Sequence, residues 1–157
     1  EAVRGFVPRD IPDSVAWSRG GDEHAVRFGD TRVRGDRYRI GRTLGDPGGF
    51  GVTYLGWDSS LERRVAIKEY FPRHLATRTA AKASPNPTSG SAATDFAAGL
   101  RGFLDEARRL ATLDHANIVK VHDYCEANGT GYLVMSYYEG RDLREHVHRA
   151  ADQLNWH

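Results

Sequence analysis

The stretch of sequence that decides the fold runs from residue 44 to residue 70 and reads LGDPGGFGVTYLGWDSSLERRVAIKEY. Four of its first eight residues are glycine, which leaves backbone N–H groups uncovered and able to fold over an anion such as phosphate. A flexible hairpin loop is the alternative interpretation of the same glycines. Two runs rich in β-forming residues follow, at 52–57 and 63–70, with turn-forming residues at 58–61 between them. The stretch therefore predicts an antiparallel pair of strands behind a glycine-rich loop.

The same signals extend outward from this pair of strands. Tyr38 and Ile40 alternate with arginines and indicate an earlier strand, while Asn128-Gly129 indicates a later hairpin. The fold class is therefore α+β, with a five-stranded antiparallel sheet and one principal helix. We predict strands near residues 37–45, 51–58, 63–70, 119–127 and 131–137.

The principal helix is predicted over residues 94–113, with Thr94 as N-cap and Asp95 in the first turn. Gly99 and Gly102 lower the helix propensity by up to about 1 kcal/mol each relative to alanine, so we expect the docking of this helix to be weakly determined. Apolar residues recur at three- and four-residue steps and form one stripe, namely Phe96, Leu100, Phe103, Leu104, Ala107, Leu110 and Ala111.

Composition excludes several classes of protein. The 157 residues include 22 basic and 21 acidic side chains, for a net charge of +1, which is too balanced for a dedicated nucleic-acid binder. No run approaches the ~20 apolar residues of a membrane span. Cys125 is the single cysteine, which excludes an internal disulfide and favours a reducing compartment. We expect a cytoplasmic location and no nucleic-acid partner.

Lys68 is the residue of this stretch with the clearest chemical potential. Strand alternation puts it on the same face as the small Ala66, which would leave room for a flat ring with a cation beside it. A charge on a half-buried strand needs an anionic partner. Glu106 is the candidate, because the apolar stripe of its helix would carry it toward the sheet. An ordinary exposed helix acid is the alternative interpretation of Glu106.

The order of these features resembles the small, nucleotide-binding lobe of a protein kinase of the eukaryotic type, specifically the bacterial serine/threonine kinases. The resemblance covers about residues 33–147. Residues 65–72, VAIKEYFP, are especially similar to bacterial members. Five segments stand in the family's order, namely 44–52, 65–68, Glu106 on its helix, 115–119 and 132–140.

This resemblance implies a role for each candidate site residue. Lys68 would hold the α- and β-phosphates of ATP and Glu106 would pair with it in the active conformation. Residues of the glycine loop would form a lid over the phosphates, namely Gly45, Gly48, Gly49, Phe50 and Gly51. The remaining residues would contact the nucleoside: Leu44, Val52 and Ala66 as an apolar roof over adenine, Met135 as the gatekeeper, Ser136 and Tyr138 through backbone groups at the adenine edge, and Asp142 at the ribose. Capping of a last helix is an equally good interpretation of Asp142.

The sequence also departs from the family. The glycine loop is one residue longer than usual, with Asp46 and Pro47 in the extra turn, and Ala116 replaces the proline of the family's His-Pro-Asn turn. The catalytic loop and the Asp-Phe-Gly magnesium motif have no counterpart. Residues 148–155 carry His, Arg and Asn at catalytic-loop spacing, but with alanine in place of the base, and we interpret this as a coincidence.

These features predict three segments: an extension or linker at 1–32, the small lobe with its hinge at 33–140, and a truncated start of the large lobe at 141–157. The full-length protein would transfer the γ-phosphate of ATP to protein serine or threonine, with Mg²⁺ held by the large lobe, and this segment alone would be inactive. A pseudokinase and a kinase-derived interaction module are the alternatives. We further expect a conditional Lys68–Glu106 pair and possible dimerisation through the exposed lobe face.

Overall fold

The computed structural model describes residues 32–35, 37–45, 48–79, 84–140 and 147. The predicted extension at 1–32, apart from Arg32, lies outside these residues. So do Asp46, Pro47, Asp142 and the predicted start of the large lobe at 141–157, apart from Val147. Within the described ranges, no helix has the length and apolar character needed to cross a bilayer.

The sheet contains all five predicted strands, each within two residues of its predicted ends, and every pairing among the described residues is antiparallel. A two-residue strand, β1, extends one edge, and a second small ladder forms in the connection to the helix. The strands are β1 (Arg32–Val33), β2 (Tyr38–Thr43), β3 (Gly51–Asp58), β4 (Arg63–Tyr70), β5 (Ala76–Thr77), β6 (Asn86–Pro87), β7 (Val121–Ala127) and β8 (Thr130–Ser136). Their order in the main sheet is β1-β2-β3-β4-β8-β7, and β5 pairs with β6.

The main sheet curls strongly. This is shown by contacts between strands that are far apart in its order. The Tyr38 hydroxyl on β2 donates to an Asp123 carboxylate oxygen on β7 over 3.0 Å. The Arg34 guanidinium, just after β1, donates to the other Asp123 oxygen over 2.5 Å. Strand twist accumulates across a sheet, and here it brings the two ends of the sheet together.

The helix α1 (Gly90–Leu110) begins four residues earlier and ends three residues earlier than predicted. Thr94 is therefore not the N-cap, and its hydroxyl instead donates to the Gly90 carbonyl one turn back. Ser89 is the N-cap, since its backbone is extended and its hydroxyl accepts from the Ala92 N–H over 3.1 Å. A serine followed by small residues satisfies the first-turn amides as well as a threonine does, and tertiary context selected the earlier cap.

Helix α1 packs on the sheet through the predicted apolar stripe. Phe96 and Ala107 are buried, although Ala111 lies beyond the helix and is exposed. The helix approaches the sheet closely at Gly131 on β8, where a Cβ would lie 2.9 to 3.2 Å from the side chains of Leu100, Phe103 and Leu104. The missing side chain at position 131 therefore allows the helix to lie close to β8.

Candidate functional site

One face of the sheet collects the predicted nucleotide-contacting residues. Ala66 lies opposite Leu55 of β3 and Met135 of β8, and Lys68 lies opposite Thr53 of β3. Ala66 and Lys68 are two residues apart in the regular strand β4, so they share a face, as expected. Ala66 is buried and Met135 is partly buried, which gives this face a small apolar floor next to a cation.

Val52 does not join this face, and its prediction as part of the adenine roof is wrong. It lies opposite Glu69 on the other side of the sheet and is 1% exposed in the main core. Thr53 occupies the position on the nucleotide face, directly opposite Lys68. Because side chains alternate along a strand, a shift of one residue moves a side chain to the other face.

The glycine loop has two positions that require glycine. Gly45 adopts φ +63°, which side chains disfavour. A Cβ on Gly51 would lie 2.3 Å from the Glu69 carbonyl oxygen, so β3 and β4 approach too closely there for any side chain. Gly48 bridges to Gly51, and the Cβ of an alanine at Gly49 would meet no atom within 4 Å. Among the described residues of the loop, Gly45 and Gly51 are therefore constrained, whereas Gly49 has open space around it.

Phe50 directly precedes β3 in the glycine loop and is 73% exposed. Its carbonyl accepts from the Phe71 N–H over 3.1 Å, and its ring lies edge-on to His74 with centroids 6.5 Å apart. At the start of the loop, the Leu44 N–H donates to the Thr53 carbonyl over 2.7 Å. The loop is therefore fastened to β3 on one side and to the segment after β4 on the other.

A cavity of about 400 Å³ lies between Phe50 of the glycine loop, β4 and helix α1. Lys68 and Glu106 both line it, which brings together the two predicted catalytic residues. The cavity walls are formed by Phe50, Lys68, Tyr70, Pro72, His74, Leu75, Asp95, Gly99, Phe103 and Glu106.

Lys68 and Glu106 are both exposed, and no ion pair joins them among the residues that the structure describes. Strand β4 is mostly buried, but the Lys68 side chain itself is exposed. Two residues further along the same face, helix α1 covers Tyr70. The neighbouring Asp105 instead pairs with Arg108 over 2.7 Å on the outer side of the helix. The conditional character of the Lys68–Glu106 pair stays a prediction.

The predicted hinge follows β8. The Ser136 N–H donates to the Lys120 carbonyl over 2.9 Å, and the Ser136 hydroxyl lies 2.9 Å from Nε2 of His122. Burial, followed by the charges of Arg63 and Lys120, lowers the pKa of His122. Tyr138 is 69% exposed. The hinge backbone is therefore tied to β7 on one side, while its following residues are accessible.

A buried charged group on the opposite face of β4 escaped the sequence analysis. Glu69 is 0% exposed and pairs with Arg78, which is 7% exposed. The hydroxyls of Tyr54 and Tyr132 also donate to the Glu69 carboxylate, over 2.9 and 3.1 Å. Burial lowers the pKa of Arg78, but the hydrogen bond and the charge of Glu69 raise it by more. Ile67 and Phe71 lie two residues to either side of Glu69 in the sequence, and an acid at alternate positions with apolar residues is the signal that could have indicated such a pair.

Other residues of the cavity also escaped the sequence analysis. Tyr70 is 6% exposed, and its ring lies between Phe96 and Phe103 of helix α1. His74 and Asp95 add a titratable ring and a carboxylate to the cavity walls. Among the described residues, no cluster of three or more His, Cys, Asp or Glu side chains could hold a metal ion.

The family model described as "Protein tyrosine and serine/threonine kinase" matches residues 91–157. The chain is 35% identical over 120 residues to the serine/threonine-protein kinase PrkC of Bacillus subtilis, covering 74% of this chain and 15% of PrkC. It is 34% identical over 117 residues to the serine/threonine-protein kinase PknB of Mycobacterium leprae, covering 72% of this chain and 16% of PknB. The chain thus spans about a sixth of the length of these relatives.

A solved structure of PpkA-294 in its apo form superimposes with a TM-score of 0.74 at 32% sequence identity. The match covers 85% of this chain and 46% of the PpkA-294 chain. The strand order, the position of helix α1 and the sequence relatives agree with each other. Together they identify the chain as a protein-kinase-like small lobe of the eukaryotic type, similar to those of bacterial serine/threonine kinases.

Proposed function

We propose that this chain is the ATP-binding part of a protein kinase that transfers the γ-phosphate of ATP to protein serine or threonine. Lys68 binds the α- and β-phosphates, Glu106 orients Lys68, and the glycine loop covers the phosphates. Leu44, Thr53 and Ala66 contact the adenine and ribose side, together with the gatekeeper Met135 and backbone groups of the hinge. Asp142, which lies outside the described residues, remains a proposed ribose contact.

The observation that carries the proposal is the shared face of Lys68 and Ala66 beneath the glycine loop. The small Ala66 and the flexible Met135 leave a flat apolar surface, and the exposed Lys68 ammonium lies one residue pair further along the same face. Gly45 and Gly51 cannot be replaced by larger residues. The backbone amides at these two positions of the loop therefore have no side chain of their own to cover them. A planar base on the apolar surface would place its phosphates beside the cation.

Each residue does a distinct task in this arrangement. The Lys68 charge attracts and positions the phosphates, and such positioned charges account for much of the catalysis of phosphoryl transfer. Glu106 lies across the cavity, and inward movement of helix α1 would bring its carboxylate to the Lys68 ammonium. The family's Mg²⁺ neutralises phosphate charge when bound. We assign no metal ligand to the described residues and propose that its ligands come from the large lobe.

The test compares Lys68→Met with Lys120→Met in a protein that joins this chain to a kinase large lobe. Lys120 is a matched control, because it is exposed and its ammonium pairs over 3.7 Å with Asp114, which is exposed as well. We expect Lys68→Met to lower phosphate transfer by about 10²–10³-fold and Lys120→Met to leave it unchanged. Phosphoamino acid analysis of the labelled product reports whether serine and threonine are the acceptors.

Two results would contradict the proposal. Equal rates in Lys68→Met and the unmodified protein would remove Lys68 from the chemistry. ATP binding without any transfer in the unmodified protein would favour the pseudokinase alternative. For the 157-residue chain alone we expect no transfer and ATP binding no tighter than about millimolar, since positioning by the large lobe is required.

A further inference from the structure

The buried pair of Glu69 and Arg78 joins β4 to the long connection that leads to helix α1. Two Arg78 nitrogens donate to the two Glu69 oxygens, one of them over 3.0 Å. The hydroxyls of Tyr54 and Tyr132 complete the set of donors. Each carboxylate oxygen therefore accepts two hydrogen bonds, which fills the capacity of the carboxylate.

Such a pair requires its full set of partners. A buried charge is strongly unfavourable when one partner is removed, and a planar guanidinium can donate to both carboxylate oxygens at once, which an ammonium cannot do. The Arg78 guanidinium also lies 4.5 Å from the centre of the Phe71 ring. The orientation of the Arg78 side chain is therefore fixed by the two hydrogen bonds of its guanidinium as well as by its charge.

The connection after β4 links the fixed Arg78 side chain to the start of helix α1. Arg78 directly follows β5, which pairs with β6. The Thr88 N–H then donates to the Leu75 carbonyl over 3.0 Å, and Ser89 caps the helix in the next position. The helix N-terminus is thus attached to the core through this short ladder and its Arg78 anchor.

The same anchor lies next to the proposed phosphate-binding lysine. Glu69 follows Lys68 on β4, and the two side chains lie on opposite faces of the strand. One further residue along, Tyr70 contacts Phe96 and Phe103 of the helix. Three successive residues of β4 therefore have distinct partners or roles. Lys68 is the proposed phosphate ligand, Glu69 pairs with Arg78, and Tyr70 contacts helix α1.

We propose that Arg78 is a positioning residue that sets the place of helix α1, and hence of Glu106, relative to Lys68. This inference rests on the proposed kinase function. Arg78 is not one of the residues that line the cavity, and it acts through β5, β6 and the capped first turn of the helix. Loss of its two-pronged contact releases the connection, so that helix α1 no longer holds Glu106 at a defined distance from Lys68.

The test uses Arg78→Lys in the protein that joins this chain to a kinase large lobe. The control is a substitution of Ile40, a core residue of β2, to Val or Ala, whichever matches the melting temperature of Arg78→Lys. We expect Arg78→Lys to lower kcat for phosphate transfer by about tenfold or more with little change in KM for ATP, and the matched control to stay within about twofold of the unmodified protein. Equal activity of the two variants would show that Arg78 is only a stabilising residue and would overturn the proposal.

Hydrogen exchange provides a second measurement that does not require kinase activity. We expect faster amide exchange in Arg78→Lys confined to residues 76–99, whereas the Ile40 control exchanges faster across the sheet. If Arg78→Lys does not fold, the double variant Glu69→Gln/Arg78→Met removes both charges together and is compared in the same way. Exchange that rises equally over the whole sheet would overturn the proposal. An unmodified protein without transfer activity would instead contradict the proposed function. In that case the hydrogen-exchange result alone would test whether Arg78 positions helix α1.

Discussion

Gly99 and Gly102 lie three residues apart on helix α1, but only Gly99 faces a neighbouring side chain. A Cβ on Gly99 would lie 2.0 Å from the Tyr70 hydroxyl oxygen and 3.0 Å from the ring carbon that carries it. A Cβ on Gly102 would meet no atom within 4 Å. The same substitution at the two positions therefore separates intrinsic helix propensity from packing.

The expected magnitudes follow from these distances. Gly102→Ala gains the propensity difference of about 1 kcal/mol in the free energy of unfolding. Gly99→Ala gains the same amount but overpacks against Tyr70, which costs about 1–3 kcal/mol. Tyr70 cannot move aside freely, because its ring lies 5.1 Å from Phe96 and 5.7 Å from Phe103, measured between centroids. We expect the two variants to differ by about 1–3 kcal/mol, with Gly99→Ala the less stable.

Urea and thermal unfolding of the 157-residue chain measure this difference. For a chain of this size, 1 kcal/mol corresponds to a shift in melting temperature of about 2–4 °C. Tyr70→Phe removes the clashing oxygen, so Gly99→Ala should cost less in that background, with a coupling energy of about 1 kcal/mol. If Gly99→Ala raises the melting temperature as much as Gly102→Ala does, helix α1 does not approach Tyr70 as described and the reasoning is wrong.

Two further predictions concern the glycine loop and the hinge. Gly51→Ala should lower the free energy of unfolding by about 1–3 kcal/mol, because its Cβ would meet the backbone carbonyl of Glu69; Gly49→Ala has open space and should stay within about 0.5 kcal/mol in the same urea titration. Burial, followed by nearby positive charges including Arg63, lowers the pKa of His122 below 6.5 in the folded chain. The unfolded chain therefore binds more protons than the folded chain at acidic pH. Stability is lost as the pH falls through and below 6.5. His122→Gln should therefore lose less stability than the unmodified chain between pH 7.5 and pH 5, and parallel losses in the two urea midpoints would contradict this assignment.

Local sequence patterns predicted the strands and the order of the site segments. The ends of β3 and β4 match their predicted ends, because the turn-forming residues at 58–61 interrupt two clear β-forming runs. The common face of Ala66 and Lys68 was also predictable, since it depends only on alternation within one strand.

The face of Val52 was not predictable in the same way. Which residues of β3 lie beside Lys68 depends on the pairing register between two strands, and a shift of one residue exchanges the faces. The structure pairs Thr53 with Lys68 and turns Val52 toward Glu69. The resemblance aligned the glycines of a loop that is one residue longer than usual. It therefore did not determine the pairing register between β3 and β4.

The sequence by itself thus determined the α+β composition, the strand limits and the position of Lys68 on its strand, because these depend on neighbours within a few residues. Tertiary structure alone decided the burial of Glu69 with Arg78 and the choice of Ser89 as helix cap. It also decided the exposure of Lys68. Each of these depends on which distant segments pack together, and the free energy of a buried charge or a helix cap depends on those partners.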